Sequence, residues 1–293
     1  MPNHSKIHAA MHSKKIKMQF ELSTWRLLRM PPAQGAWNMA VDEAILESVY
    51  SGESLPTLRL YAWAPPCLSL GYSQLFADVN LPALRQAGWQ IVRRPTGGRA
   101  ILHTDELTYA VIAPLQEPRV AGSVLDSYSR LSGALLQALI LMGLPAEARE
   151  TYQDAGAPRN LNPVCFEVPS KYEITVNGKK LIGSAQARRK EGVLQHGSLP
   201  LYGDLTRITQ VLHYPDSEAY HMATEGLLQH ACTVENILGH PGSWEAAADA
   251  FTEAFQTVLN LNLLPGELTA TELHRTRTLV KEKYAHPSWT ERV

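Results

Sequence analysis

The sequence lacks the features that mark secreted, membrane and nucleic-acid-binding proteins. Its 293 residues hold only three cysteines, at 67, 165 and 232, which are far apart and form neither a disulfide framework nor a CxxC metal pair. No apolar run reaches the roughly 18 residues of a transmembrane helix. The formal net charge is −1, so the chain as a whole has no attraction to nucleic acid or to a membrane surface. We therefore expect a cytoplasmic protein with no metal site, no nucleic-acid partner and no membrane partner.

The amino terminus differs from the rest of the chain. Its first residues are polar and lysine-bearing, and they lack the long apolar core of a signal peptide. The remainder has enough hydrophobic residues, at 45% of the chain, for a sizeable core. We predict a disordered extension over 1–20 and a single domain over 21–293 that ends in helices.

Hydrophobic periodicity predicts strands and helices that do not alternate one to one. The strands are predicted at 23–30, 57–63, 67–72, 89–94 and 107–113, and the helices at 38–50, 81–87, 124–142 and through most of the tail. Because strict alternation is the mark of a doubly wound parallel sheet, that architecture is disfavoured. The expected fold class is α/β of the α+β type, with a mixed, mostly antiparallel sheet and flanking helices.

The segment 172–199 is predicted to form a three-stranded antiparallel meander. Asn177-Gly178 lies between two alternating runs, which is the strongest short signal of a β-hairpin. A second turn at 189–192 leads into the third strand. If the hairpin is regular, Lys180 lies opposite Thr175, and Gly183 lies opposite Tyr172.

A cysteine and a lysine stand close together in the most informative stretch of the chain. Cys165 precedes this hairpin, and Lys180 begins its second strand, which continues through Gly183, Ser184 and Ala185. A thiol becomes a nucleophile as the thiolate, which a neighbouring ammonium stabilises. Small residues on the strand allow a substrate to approach closely. These features suit acyl transfer through a thioester, although a buried structural cysteine beside an exposed lysine is the ordinary alternative.

Two further blocks supply candidate substrate-binding residues. The segment 93–103 reads Arg-Arg-Pro-Thr-Gly-Gly-Arg-Ala-Ile-Leu-His, in which glycines permit close backbone approach and arginines suit phosphate or carboxylate groups. It matches neither a P-loop nor a dinucleotide fingerprint. The third meander strand carries Gln-His-Gly-Ser. The candidates in these two blocks are Arg94, Thr96, Gly97, Gly98, Arg99, His103, His196 and Gly197.

In this order, the blocks resemble the biotin/lipoate A/B protein ligase family, and within it the cysteine-dependent octanoyltransferases of the LipM type. The resemblance covers about 24–289, including the Asn-Met-Ala-Val-Asp-Glu run from Asn38 and the Lys-Tyr pair at 283–284 with Trp289. It implies the catalytic core shared with biotin protein ligases and class II synthetases. By resemblance, the nucleophile is Cys165 and the active-site lysine is Lys180.

The resemblance also implies a reaction and its partners. An octanoyl group moves from octanoyl-acyl carrier protein to a lysine of the glycine cleavage H protein or another lipoyl domain. The donor thioester is already activated, so neither ATP nor a cofactor is expected.

Three other functions remain open at this point. An ATP-dependent lipoate-protein ligase needs no cysteine, and its usual third glycine is replaced here by Arg99. An octanoyl amidotransferase acting between lipoyl domains also uses a cysteine, so Cys165 does not distinguish it from an octanoyltransferase that uses octanoyl-acyl carrier protein. A non-catalytic binding module would be expected to lack the cysteine or the lysine, and this chain has both.

Overall fold

The computed structural model describes residues 20–150 and 172–293. The two described ranges form eleven strands and eight α-helices. The strands are β1 Ser23–Arg29, β2 Thr57–Tyr61, β3 Cys67–Leu70, β4 Gln90–Arg93, β5 Ile101–His103, β6 Glu106–Ala113, β7 Ala146–Glu150, β8 Tyr172–Val176, β9 Lys179–Arg189, β10 Gly192–Pro200 and β11 Leu261–Pro265.

The helices lie on both sides of the strands. They are α1 Gly35–Tyr50, α2 Leu81–Gln86, α3 Val124–Leu141, α4 Ser217–His230, α5 Val234–Leu238, α6 Trp244–Leu259, α7 Ala270–Leu279 and α8 Pro287–Thr290. Short 3₁₀ segments occupy Phe76–Asp78 and Leu205–Val211, and a π-helical turn follows α7 at Val280–Tyr284. No helix in the described ranges is long and apolar enough to cross a membrane.

The main sheet has eight strands in the order β11-β1-β2-β6-β10-β9-β8-β7 within the described residues. Strand β1 is parallel to both β11 and β2, and all the other pairs are antiparallel. A second, three-stranded sheet has the order β4-β3-β5. The prediction of a mixed, mostly antiparallel sheet is therefore confirmed.

Three apolar clusters hold these layers together. Helices α3 and α6 cover one face of the main sheet, where Phe251 and Phe255 pack against Tyr109. Helix α1 and the end of α7 cover the other face, against Ala110 and Leu194. The third cluster joins the small sheet to α2, the Leu205–Val211 turn and α4. The space between the α1-covered face and the small sheet is where the candidate site lies.

Most predicted elements are present, but strands β5 and β7 were not predicted, and there are three further differences. Helix α1 begins three residues before the predicted start, at Gly35. The tail, predicted as helical, also contains β11, which pairs with β1 and is too short to stand out from the helical pattern around it. In the meander, Lys180 does pair with Thr175, but Ile182 pairs with Ile174 because the register shifts there. The predicted pairing of Gly183 with Tyr172 is therefore wrong.

Candidate active site

A narrow cavity lies between the main sheet and the small sheet. The wall is built from α1, the end of β2 and its following residues, β3, β5, β6, β9 and β10. The lining residues are Met39, Tyr61, Trp63, Ser69, Arg94, Ile101, His103, Thr108, Gly183, Ser184, Ala185, His196, Gly197 and Ser198.

Neighbouring strands β9 and β10 form one wall of this cavity. Ala185 pairs with His196, and Ser184 pairs with Gly197. A Cβ atom on Gly197 would lie 2.7 Å from the Gly183 carbonyl oxygen and 2.7 Å from a ring carbon of Tyr109. Only glycine at this position lets the two strands and the tyrosine ring approach so closely. The predicted pocket residues of the meander are thus brought together by strand pairing.

A β-bulge determines which way Lys180 faces. Between the pairs Thr175–Lys180 and Ile174–Ile182, strand β9 advances two residues while β8 advances one. Leu181 is the extra residue, so Lys180 and Ile182 lie on opposite faces although they are two apart. Lys180 consequently shares a face with Gly183. It is buried, with 5% of its surface exposed, and it lies beyond the residues that line the cavity.

Lys179 lies on the opposite face of the same strand. Its Nζ donates a hydrogen bond of 2.6 Å to the carbonyl oxygen of Leu228 in α4. Because side chains alternate along a strand, the two adjacent lysines face opposite ways, and Lys180 is the one on the cavity side.

His196 is held in one tautomer by partners on both ring nitrogens. Asp42 lies 3.4 Å from Nδ1, and the Thr96 hydroxyl lies 2.7 Å from Nε2. Burial lowers the pKa of His196, although Asp42 opposes this effect. The ring is thus neutral near pH 7: Nδ1 donates to the carboxylate, and Nε2 accepts from Thr96. The cavity therefore receives no positive charge from this histidine.

The carboxylate behind His196 belongs to a buried ion pair. Burial by itself would raise the pKa of Asp42, but the guanidinium of Arg59 at 2.6 Å and the hydrogen bond from His196 outweigh it and lower the pKa. Arg59 also donates to the side-chain oxygen of Asn38 at 2.7 Å. Asn38 and Asp42 both lie on α1, so this network fixes the helix against β2 and the cavity wall.

His103 belongs to a second polar cluster. Its Nδ1 lies 2.7 Å from Glu106, and its Nε2 lies 2.8 Å from the Ser69 hydroxyl. Burial would raise the pKa of Glu106, but the charge and hydrogen bond of His103 lower it, so the carboxylate is ionised. Trp63 stacks on the imidazole with centroids 3.9 Å apart and donates to Thr108 at 2.8 Å. The polar atoms of this wall are satisfied internally, which leaves ring surface for an apolar ligand.

The arginine–glycine block is tied together largely by its own backbone. Arg94 lines the cavity but donates to the carbonyl oxygens of Ser69, Gly97 and Arg99 at 2.7–3.2 Å. Gly98 adopts φ +92°, and its carbonyl oxygen comes so close to Gly71 that a Cβ on Gly71 would lie 1.8 Å from it. Glycine is therefore required at 71 by the close approach and at 98 by the backbone conformation.

The remaining candidates of this block lie outside the cavity wall. Thr96 reaches it only through its bond to His196. Gly97 lines a separate, more open cleft with Arg188 and Arg189. Arg99 is half-buried and lines neither space.

Two of the three cysteines are unsuited to nucleophilic attack. Cys67 is fully buried, and burial raises its pKa far above the ordinary range. Burial likewise raises the pKa of Cys232 to about 11. Neither lines the cavity. Cys165, the predicted nucleophile, lies outside the described residues. Within the described ranges, no three metal-ligating side chains come together.

Seven lining residues were not predicted from the sequence. They are Met39, Tyr61, Trp63, Ser69, Ile101, Thr108 and Ser198. One sequence signal could have identified two of them. Alternate positions share a face of a β-strand, so Tyr61 and Trp63 lie on the same face as the buried Arg59. The other lining residues come from elements that only the tertiary fold brings together.

The arrangement corresponds to a known family. A family model described as the lipoyl protein ligase A/B catalytic domain matches residues 34–256. The chain belongs to this family. Within it, the chain is similar to proteins named octanoyltransferase LipM: 41% identical to that of Kyrpidia tusciae over 92% of this chain and the whole relative, and 39% identical to that of Symbiobacterium thermophilum over 92% and 99%. The family resemblance found in the sequence is thus confirmed.

Solved structures support the same fold. A bipartite lipoate protein ligase from Thermoplasma acidophilum superposes with a TM-score of 0.75 at 24% identity, covering 92% of this chain and 96% of that one. A lipoate-protein ligase A bound with ATP gives the same TM-score and identity, covering 92% and 99%. At this level of identity the likeness concerns the fold.

Proposed function

We propose that this protein is an octanoyltransferase that moves an octanoyl group onto a lysine amine of a lipoyl domain. The observation that carries the proposal is the cavity whose β9 wall leads to a buried lysine, in a chain similar along most of its length to octanoyltransferases named LipM. The donor is octanoyl-acyl carrier protein, and the acceptor is the glycine cleavage H protein or another lipoyl domain. The reaction takes place in the cytoplasm.

The cavity suits an unbranched apolar chain. Its lining polar groups have hydrogen-bond partners within the protein, as in the His103 and His196 clusters, and both strand β9 and strand β10 contribute small residues. Burying each methylene of an acyl chain contributes about 0.8 kcal/mol, so full burial of an eight-carbon chain contributes several kcal/mol. Substrate-binding roles follow for Arg94, His103, Gly183, Ala185 and His196. The cavity wall also includes Ser184 and Gly197, and the turn Thr96–Arg99 supports Arg94.

Cys165 is the proposed nucleophile. Its thiolate attacks the donor thioester, the donor thiol leaves with a proton, and an octanoyl thioester forms on the enzyme. The acceptor amine then attacks that carbonyl, the thiolate leaves, and an amide results. The support within the described residues is that Cys67 and Cys232 are both buried with raised pKa values, which disfavours them as thiolates. One thioester replaces another, so no ATP and no cofactor are required.

Lys180 is the proposed electrostatic and acid–base partner. An ammonium near the thiol favours the thiolate, and each unit by which it lowers the thiol pKa is equivalent to about 1.4 kcal/mol. The buried position of Lys180 on the cavity side supports this role. Lys179, bonded to Leu228 on the other face, is the natural control.

The second candidate is an ATP-dependent lipoate-protein ligase, the class of enzyme to which the structural neighbours with the same fold belong. Intact mass spectrometry separates the two. Octanoyl-acyl carrier protein without ATP should add about 126 Da, one octanoyl group in place of one hydrogen. The adduct should be labile to hydroxylamine and absent from Cys165→Ala, because a thioester forms on that thiol. An adduct on Cys67 or Cys232, or transfer that strictly requires ATP, contradicts the proposal.

The same acylation assay distinguishes the proposed octanoyltransferase from an octanoyl amidotransferase. That enzyme takes its acyl group from an octanoylated lipoyl domain. Faster acylation of the protein by such a domain than by octanoyl-acyl carrier protein would replace the proposed donor.

A further inference from the structure

A buried hydroxyl without a partner lies next to Lys180. Thr175 has 5% of its surface exposed, and its Oγ1 has no hydrogen-bond partner. Buried polar side-chain atoms are nearly always paired, because an unpaired one keeps the full cost of losing its water. Such an atom calls for an explanation, and a missing ligand atom is one.

The strand register places this hydroxyl on the cavity side of the sheet. Thr175 pairs directly with Lys180, so both side chains leave the sheet on the same face. The extra residue Leu181 puts that face in phase with Gly183, which lines the cavity. Thr175 therefore lies beside Lys180 on the adjacent strand, on the cavity side of the sheet and beyond the cavity-lining Gly183.

We infer that Thr175 is a further catalytic residue, whose hydroxyl donates a hydrogen bond to the oxygen of the reacting acyl carbonyl. This inference rests on the proposed acyl transfer. Threonine carries its hydroxyl and methyl on the same stiff Cβ, so the donor is held in place before the substrate arrives. Preorganised donors of this kind act where charge develops in the transition state.

The electron movements define what Thr175 does. When a nucleophile adds to the thioester carbonyl, the π electron pair moves onto oxygen, and the Thr175 O–H donates to the resulting oxyanion without losing its proton. When the C–S bond breaks, the pair returns to form the new carbonyl, and the thiolate sulfur takes the proton released by the attacking thiol or amine. The hydroxyl is unchanged at the end, and no further reactant is needed.

Thr175→Val tests the inference, because it replaces the hydroxyl by a methyl group of similar size. We expect kcat for octanoyl transfer to fall by about 10²–10³, the range seen when one oxyanion donor is lost, with KM little changed, since the bond strengthens only in the transition state. The midpoint of urea unfolding should stay the same or rise, because an unpaired buried hydroxyl has been removed. Thr175→Ser keeps a hydroxyl and should recover most of the lost kcat.

Three results would overturn the inference. They are an unchanged kcat in Thr175→Val, a loss that appears in KM alone, and a loss that Thr175→Ser does not recover. Thr175→Ala removes the hydroxyl without adding volume, and it decides the question if the valine variant does not fold. Failure of the proposed function looks different: the wild-type protein itself would then show no octanoyl transfer.

Discussion

Gly197 offers the sharpest test of how the cavity wall is built. Replacing it by alanine adds one Cβ atom, which would lie 2.7 Å from the Gly183 carbonyl oxygen, 2.7 Å from the Ser184 hydroxyl and 2.7 Å from a ring carbon of Tyr109. One of these neighbours is backbone of the adjacent strand, so it moves only if β9 and β10 separate. The φ angle of Gly197 is not among the left-handed values, so the clash is the only strain that the substitution introduces.

Overpacking of this kind costs about 1–3 kcal/mol. At about 2 °C per kcal/mol, the value for larger domains, the melting temperature should fall by about 2–6 °C. Separation of the strands also shifts Gly183 and Ala185 on the cavity wall. Because a misplacement of about 1 Å can cost 100-fold in rate, we expect octanoyl transfer to fall by about 10- to 100-fold.

Gly97→Ala is the matched control. Gly97 belongs to the neighbouring glycine turn, and a Cβ atom added there would have no other atom within 4 Å. This variant should keep both its melting temperature and its activity. Differential scanning fluorimetry and a gel-shift assay of the octanoylated acceptor domain measure the two properties. If Gly197→Ala melts and reacts like Gly97→Ala, the close strand approach does not limit either stability or catalysis.

Three further outcomes are expected. Lys180→Ala should lower transfer by about 10²–10⁴, as for a lost acid–base group, whereas Lys179→Ala should do far less, and equal losses would refute the face assignment. Arg99→Ala should weaken use of the carrier-bound donor more than use of a small octanoyl thioester, in a salt-dependent manner; equal, salt-independent losses would leave Arg99 a support of the turn. Asp42→Asn should cost about 3–5 kcal/mol in urea unfolding at pH 7, because Arg59 stays buried without its carboxylate. The folded pKa of Asp42 is lowered, so its contribution is present above the unfolded pKa near 3.9 and is lost as the pH falls through the folded value. The difference from wild type should therefore be constant from pH 7 to 5 and smaller at pH 3.

Local signals in the sequence determined most of the elements. Asn177-Gly178 supplies the two left-handed residues of a tight hairpin turn, at φ 51° and 79°, so β8 and β9 were predictable. Thr269 and Glu272 form the capping box that opens α7. The apolar periodicity of 124–142 yields α3. These features depend on neighbours within a few residues, which is why the sequence alone specifies them.

Part of the candidate site was also predictable. Small residues at 183 and 185 and the histidine at 196 were expected on adjacent strands, and the structure pairs Ala185 with His196. What pairing predicts, however, is adjacency within a sheet. It does not supply the opposite wall, which comes from α1 and the small sheet. Only the tertiary structure therefore shows that Met39 and Ser69 line the site.

The tertiary structure alone decided the direction and the environment of the reactive groups. The extra residue Leu181 puts Lys180 in phase with Gly183, and no periodic pattern reveals a single-residue bulge. Arg93 belongs to the arginine–glycine block whose residue types suit ligand binding. It is nevertheless fully buried and donates a hydrogen bond to the carbonyl oxygen of Thr290, near the other end of the chain. Exposure, partners and charge depend on residues distant in sequence, so the fold has to bring them together before the chemistry of a side chain is defined.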